Sequence, residues 1–234
     1  GRTRIDSVLM AQKVKNVTGF EVMPHICCRD KNAIAMRSTF LGASINDINN
    51  FLIITGDPIP VMARQVVKSV FNFDSVGLMR IADEMNSEAL KDSPLTYGGA
   101  INQSRRRIES EIKRVQKKME AGAEFFLTQP VFTAEDAERL RRVKEETGAR
   151  ILCGIMPLVS RKNALFMKNE ISGVNVTDEV IERYPENADR EDGENVGVEL
   201  AKEMIAATRD FADGYYFSFP FNRTYLLKRI IQEV

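Results

Sequence analysis

The sequence predicts an α/β fold of parallel strands, arranged as an open doubly wound sheet or a TIM barrel. Three observations carry this. First, one helical stretch is followed by six strand–helix repeats, an alternation that gives parallel strands with right-handed crossovers. Second, the strand stretches are apolar and uncharged, as in FLIIT at 51–55, with the β-branched content that strands favour. Third, the apolar runs end in His25, Asp57, Asn102, Gln129, Pro157 and Asn222, all but one polar or ionisable. In both architectures ligands sit beyond the carboxyl ends of the strands, so this convergence marks a site. No internal repeat, low-complexity tract or linker interrupts the 234 residues, and a single domain over 1–234 is expected.

The elements follow in order. Thr3 to Asp6 has the form of a capping box, opening a helix with Ile5, Val8 and Leu9 at helical spacing. Gly19 ends it, and FEVMPHICC (20–28) reads as a buried strand. Asp30 is the expected cap of a second helix with Ile34, Met36, Phe40 and Leu41 as its apolar positions. The strand 51–55 breaks into Gly56-Asp57-Pro58-Ile59-Pro60, a loop by its glycine and proline content. Residues 61–73 carry no clear pattern, and 75–85 is helical in pattern. LTYGGAI (95–101) is a short strand whose Gly98 and Gly99 suggest a close approach to the backbone. The helix 107–121 puts Ile108, Ile112, Val115 and Met119 on one face and Glu111, Arg114 and Lys118 on another. A turn at Gly122 leads to strand 124–129, helix 134–147 and strand 149–157. Ser160 caps a helix to about 169, and 170–189 reads as an irregular excursion. A charged helix over 190–211, a strand over 214–220 and a closing helix complete the chain.

Composition narrows the function classes. Lys plus Arg and Asp plus Glu balance at 33 each, so there is no overall field for nucleic acid or an anionic membrane. No apolar run is long enough to span a bilayer, and the first residues lack the apolar core of a signal peptide. Cys27, Cys28 and Cys153 have no zinc-type spacing; they read as reduced, mostly buried thiols of a cytoplasmic protein. The dinucleotide, P-loop, nucleophile-elbow and zincin motifs are absent. His25 is the sole histidine, so a two-histidine metal site is impossible, and taken alone it reads as a structural histidine. Asp57 reads either as turn chemistry or as an anion beside a bound ring. Lys117, Lys118 and the arginines at 105–107 are an ordinary solvated face unless a phosphate is present. Gln129 offers a neutral amide donor and acceptor at a strand mouth.

Six segments taken together resemble the methylenetetrahydrofolate reductase family: MPHICCRDKN, FLIITGDP, TYGGAIN, KKMEAGAEFFLTQPVF, ILCGIMPLVS and DGYYFSFPFNR. Each is weak alone, but six in register over nearly the whole chain are specific. The resemblance implies a TIM (β/α)8-type barrel that holds FAD noncovalently in a cytoplasmic oxidoreductase of one-carbon metabolism and methionine biosynthesis. NAD(P)H reduces the flavin, and 5,10-methylenetetrahydrofolate then accepts the hydride to become 5-methyltetrahydrofolate. By the same resemblance His25 lines the flavin pocket, and Asp57 lies near the isoalloxazine and the pterin. The backbone of Gly98, Gly99 and Ala100 runs along the flavin, and Glu111 binds the ribityl chain. Arg114, Lys117 and Lys118 hold the diphosphate and ribose, Thr3 belongs to a flavin loop, Gln129 hydrogen-bonds the pterin, and Phe221 and Arg223 contact the folate. A homo-oligomer is implied, and some members work with an electron-transfer partner carrying iron–sulfur clusters.

One departure stands out. The family's barrel begins with two strands, the first bearing a proton-donating glutamate, before the helix that starts this chain. The expectation is that the chain is part of a longer protein. The alternatives are that the strands come from elsewhere, or that this is a truncated open sheet with no activity; the second function hypothesis is a flavin- or folate-binding module inactive alone or dependent on a partner subunit. A phosphosugar lyase or aldolase is disfavoured, because its Schiff-base lysine is missing from the six strands.

Overall fold

The structure, a computed structural model, describes residues 4–171 and 173–232. It is an α/β fold built on parallel strands. The chain divides into two compact units, residues 1–100 with 116–125, and residues 101–115 with 126–234.

In the first unit, α1 (Ser7–Thr18) is capped by Asp6, which accepts hydrogen bonds from the N–H groups of Val8 and Leu9, and it ends at left-handed Gly19. The cap is thus Asp6 itself; Thr3 lies outside the described residues. The spacing of Ile5 and Leu9 does not mark a buried face: both are exposed, and Ala11 is the buried residue of the helix. β1 is only His25–Cys27, shorter than the predicted 20–28. α2 (Ala33–Ser44) is capped by Asn32 rather than Asp30, because Asp30 is taken by the Arg29 guanidinium. Met36 and Phe40 face inward, whereas Ile34 and Leu41 are exposed. β2 (Asn50–Ile54) pairs in parallel with β1, and β3 (Thr96–Ile101) with β2. The unpatterned stretch after β2 holds one 3-10 turn, Val61–Ala63, before α3 (Ser75–Ser87). Phe40 meets Phe51 edge to face at 5.2 Å in this core, beside Ile53, Leu78 and Met79, all buried.

Gly98 and Gly122 show why glycines occupy this region. A Cβ at Gly98 would overlap the Phe125 ring and lie 2.6 Å from the Phe125 carbonyl oxygen. The close approach read from the sequence is therefore, at Gly98, an approach by protein. Gly122 has φ +90 and lies against the Tyr97 hydroxyl, which donates to the Ala121 carbonyl at 3.0 Å. Gly98→Ala is expected to cost about 2–3 kcal/mol by overpacking, a fall in Tm of roughly 5–10 °C. Gly42→Ala in α2, where nothing lies within 4 Å, is the control. It is expected to hold or raise Tm, and thermal melts of the two variants check the contrast.

Helix α4 (Ile108–Glu120) buries Ile108, Ile112 and Val115, as its spacing predicts. In the second unit, β4 (Phe125–Pro130) pairs in parallel with β5 (Ile151–Ile155), and β5 with β6 (Gly214–Phe217). α5 (Ala134–Thr147) runs from the Thr133 cap to left-handed Gly148. α6 (Arg161–Glu170) is capped by Ser160. The predicted excursion at 170–189 contains a short helix, α7 (Asp178–Glu182). α8 (Arg190–Thr208) and α9 (Leu226–Ile231) complete the unit. A cluster of Phe132, Leu158, Met167, Ile181, Tyr184 and Leu200 is buried here, and the Tyr184 hydroxyl donates to the Leu158 carbonyl at 2.9 Å. Of the thiols, Cys28 and Cys153 are buried and Cys27 is half-buried. Burial pushes both buried thiols up to about 12, so they are inert at neutral pH.

Candidate functional site

In the first unit, His25 opens β1 rather than ending its strand. It pairs with Leu52, while Cys27 at the far end pairs with Ile54. Pro24 before it has no N–H to extend the ladder. The imidazole borders a cavity of about 550 Å³ shared with Asp6, Cys27, Arg29, Lys31 and Ile59. It keeps accessible surface, yet desolvation by these walls lowers its pKa from the ordinary value of 6.5. The neutral form therefore dominates near neutral pH. Asp57 lies beyond β2 and is exposed. It follows Gly56, whose φ of +87 turns the chain, and its carbonyl accepts from Arg29 Nη1 at 3.4 Å. Gly98 and Gly99 are buried in β3, with Ala100 half-buried. Lys118 is only 4% exposed, and its Nζ donates to the Ala100 carbonyl at 2.5 Å. Lys117, one residue earlier, is exposed. A helix turns about 100° per residue, so adjacent lysines cannot share a face.

In the second unit, Glu111 is 2% exposed. Its Oε1 accepts from the Asn102 N–H at 3.0 Å, tying α4 to the chain just past β3. Oε2 lies 2.8 Å from Arg105 Nε and 3.7 Å from Arg114 Nε. These are ion pairs outside hydrogen-bond geometry: Glu111 Oε2 and Arg114 Nε are both buried without a hydrogen-bond partner among the described residues. Orphaned buried polar atoms are uncommon and costly, and a bound molecule rich in hydroxyl groups would satisfy them.

Gln129 is half-buried, one residue before the end of β4. Its backbone N–H donates to Gln103 Oε1 at 3.2 Å, and its carbonyl accepts from Gln103 Nε2 at 3.0 Å. Gln103 is a residue that the sequence pattern does not single out. After β6, Phe221 (φ 56) and Asn222 (φ 57) are both left-handed, a strain typical of sites held by their surroundings. Phe221 is 72% exposed, and the Arg223 guanidinium lies 5.7 Å from its ring centre.

Arg223 is positioned by Glu194 of α8, at 3.2 Å. The same Glu194 oxygen accepts from the Tyr225 hydroxyl at 2.6 Å and from Arg190 Nε at 2.9 Å. Burial opposes ionisation of Glu194, but the hydrogen bonds from Tyr225 and Arg190 and the charges of Arg190 and Arg223 outweigh it, holding the carboxyl below its ordinary 4.5. Because the folded-state pKa is depressed, this stabilisation is present above pH 4.5 and is lost as pH falls toward the lowered value. Glu194→Gln is expected to cost roughly 2 kcal/mol near neutral pH. Its Tm should converge on that of the wild type in acid, which melts of the two proteins across pH will check.

A model of the family described as Methylenetetrahydrofolate reductase matches residues 1–233. A comparison with curated proteins returned no match. Among solved structures, an uncharacterized protein from Clostridium thermocellum that binds two copies of 5-methyl-5,6,7,8-tetrahydrofolic acid is similar at TM-score 0.54 and 17% identity, over 100% of this chain and 92% of its own. A 2,3-dimethylmalate lyase of the PEP mutase/isocitrate lyase superfamily is similar at TM-score 0.52 and 14% identity. That match takes in 99% of this chain, which spans 65% of the lyase chain. At these identities the two structures support the α/β fold. No helix among the described residues is long and apolar enough to cross a membrane.

Proposed function

We propose, for a chain that belongs to the methylenetetrahydrofolate reductase family and so to a family of oxidoreductases, that it reduces 5,10-methylenetetrahydrofolate to 5-methyltetrahydrofolate. Bound FAD supplies the hydride relay between NAD(P)H and the folate, and the protein supplies orientation and electrostatics. The observation that carries this reading is the pair of buried atoms Glu111 Oε2 and Arg114 Nε, which lack hydrogen-bond partners among the described residues although the Arg114 side chain as a whole is half-exposed. A ribityl chain fits it, with hydroxyls that donate to the carboxylate and accept from the guanidinium.

The remaining roles are those the family resemblance implies, and residue chemistry is compatible with them. Arg114 and Lys118 supply cations for a diphosphate, with exposed Lys117 adding charge at longer range. His25 is kept neutral beside its cavity and lines the flavin. Asp57 is an anion able to stabilise positive charge on a ring system, and the backbone of Gly98, Gly99 and Ala100 lies along the isoalloxazine. The amide of Gln129 matches the paired donors and acceptors of a pterin. Phe221 offers an aromatic face and Arg223 a cation for a folate carboxylate. The 5-methyltetrahydrofolate held by the clostridial structure supports folate as the ligand class. Cytoplasmic location and a homo-oligomer belong to the same proposal.

The cofactor assignment is tested by titrating the protein with FAD. Retention of flavin absorbance is expected, and Glu111→Ala should weaken FAD by about tenfold, the effect of losing one charge-assisted hydrogen bond. A protein that keeps no flavin, or a Glu111→Ala variant with unchanged affinity, would sink it.

A further inference from the structure

We infer that Gln103 is a positioning residue that sets Gln129 toward its ligand, with Tyr216 completing the hold; this rests on Gln129 being a folate contact. Leu127 of β4 faces Leu152 of β5, and Pro130 faces Gly154. Two residues of β4, Thr128 and Gln129, therefore stand where β5 has only Cys153. Such a bulge is rare between parallel strands and re-aims the side chains around it. Because strand side chains alternate between faces, one extra residue exchanges the faces of everything on one side of it. Without the bulge, Gln129 could not keep its present face while the start of β4 kept its own.

A bulge breaks the ladder, and the displaced backbone groups need other partners. Side chains supply them. The Gly154 N–H donates to Thr128 Oγ1 at 2.9 Å, and that hydroxyl donates to the Gln129 carbonyl at 2.7 Å. The Thr128 carbonyl accepts from the Tyr216 hydroxyl at 2.5 Å. Pro130 has no N–H to place, and its carbonyl accepts from Gln103 Nε2 at 3.2 Å. Together with its bonds to the Gln129 N–H and carbonyl, Gln103 thus serves three backbone groups with one amide. A carboxylate could not donate and a thioether could replace neither function. Gln103 is itself fixed: it is 0% exposed, and its own carbonyl accepts from Arg139 Nη1 at 3.0 Å. Tyr216 reaches β4 across Gly154, where a Cβ would lie 2.5 Å from its hydroxyl oxygen. The glycine in β5 is the opening through which the phenol passes.

The test is a double-mutant cycle on affinity for 5-methyltetrahydrofolate, with Gln103→Met and Tyr216→Phe each made in the wild-type and Gln129→Ala backgrounds. A residue that acts through Gln129 loses its effect once Gln129 is gone, whereas a general structural role persists. Gln103→Met is expected to weaken binding about tenfold in the wild type and less than about twofold in Gln129→Ala. Tyr216→Phe keeps the ring over Gly154 and removes one hydroxyl, so it folds even if Gln103→Met does not, and its loss should depend on background in the same way. Equal losses in both backgrounds, or none, would overturn the positioning role. A wild type that binds while Gln129→Ala binds equally well would overturn the folate contact first, and the positioning role with it.

Discussion

Gln129→Ala is expected to slow reoxidation of the reduced flavin by 5,10-methylenetetrahydrofolate by about 100-fold, the effect of leaving a buried donor and acceptor of the pterin unmatched. Reduction of the flavin by NAD(P)H should change little. The asymmetry follows from placement. Gln129 stands near the carboxyl end of β4 with its backbone clamped by Gln103, and its amide can act on a ring bearing donors and acceptors but has no charge for phosphates. Stopped-flow measurement of the two half-reactions separates them. Equal losses in both would show that Gln129 is not a pterin contact.

Lys118→Met is expected to weaken FAD by about 100-fold, because it removes a buried cation while keeping the length of the side chain. Lys118 is nearly inaccessible, and its ammonium is anchored on the Ala100 carbonyl. It is preorganised, unlike an exposed lysine, whose charge is screened. Lys117→Met, one residue away on the exposed side of α4, should weaken FAD by less than about threefold, in keeping with the small worth of solvated charges. Flavin affinities of the two variants check the contrast; equal effects would return Lys118 to the role of a general charge.

Local chemistry was legible in the sequence where it decided the structure. The cap at Ser160 and the turns at Gly19 and Gly122 stand where expected. So does the buried face of α4. Where competition decided, the sequence misled. Asp30 is a good cap by type but is drawn to Arg29, leaving α2 to Asn32. Ile5 and Leu9 have helical spacing but no burial, since spacing does not say what packs on a face. Gly98 signals a close approach without saying that Phe125 makes it. His25 looks like a strand end only if β1 is read as the whole run from residue 20. The bulge at Thr128 and Gln129 was invisible, because register is fixed by the neighbouring strand. Gln103 was missed for the same reason, its partner lying 26 residues away.

The central claim is that this chain carries electrons through FAD to a folate. Its most direct measurement is anaerobic. The FAD-loaded protein is reduced with NAD(P)H until its flavin absorbance is bleached, and 5,10-methylenetetrahydrofolate is then added. Recovery of the oxidised flavin spectrum with formation of one equivalent of 5-methyltetrahydrofolate is the expected result. A flavin that stays bleached in the presence of the folate, or reoxidises without forming 5-methyltetrahydrofolate, would contradict the account.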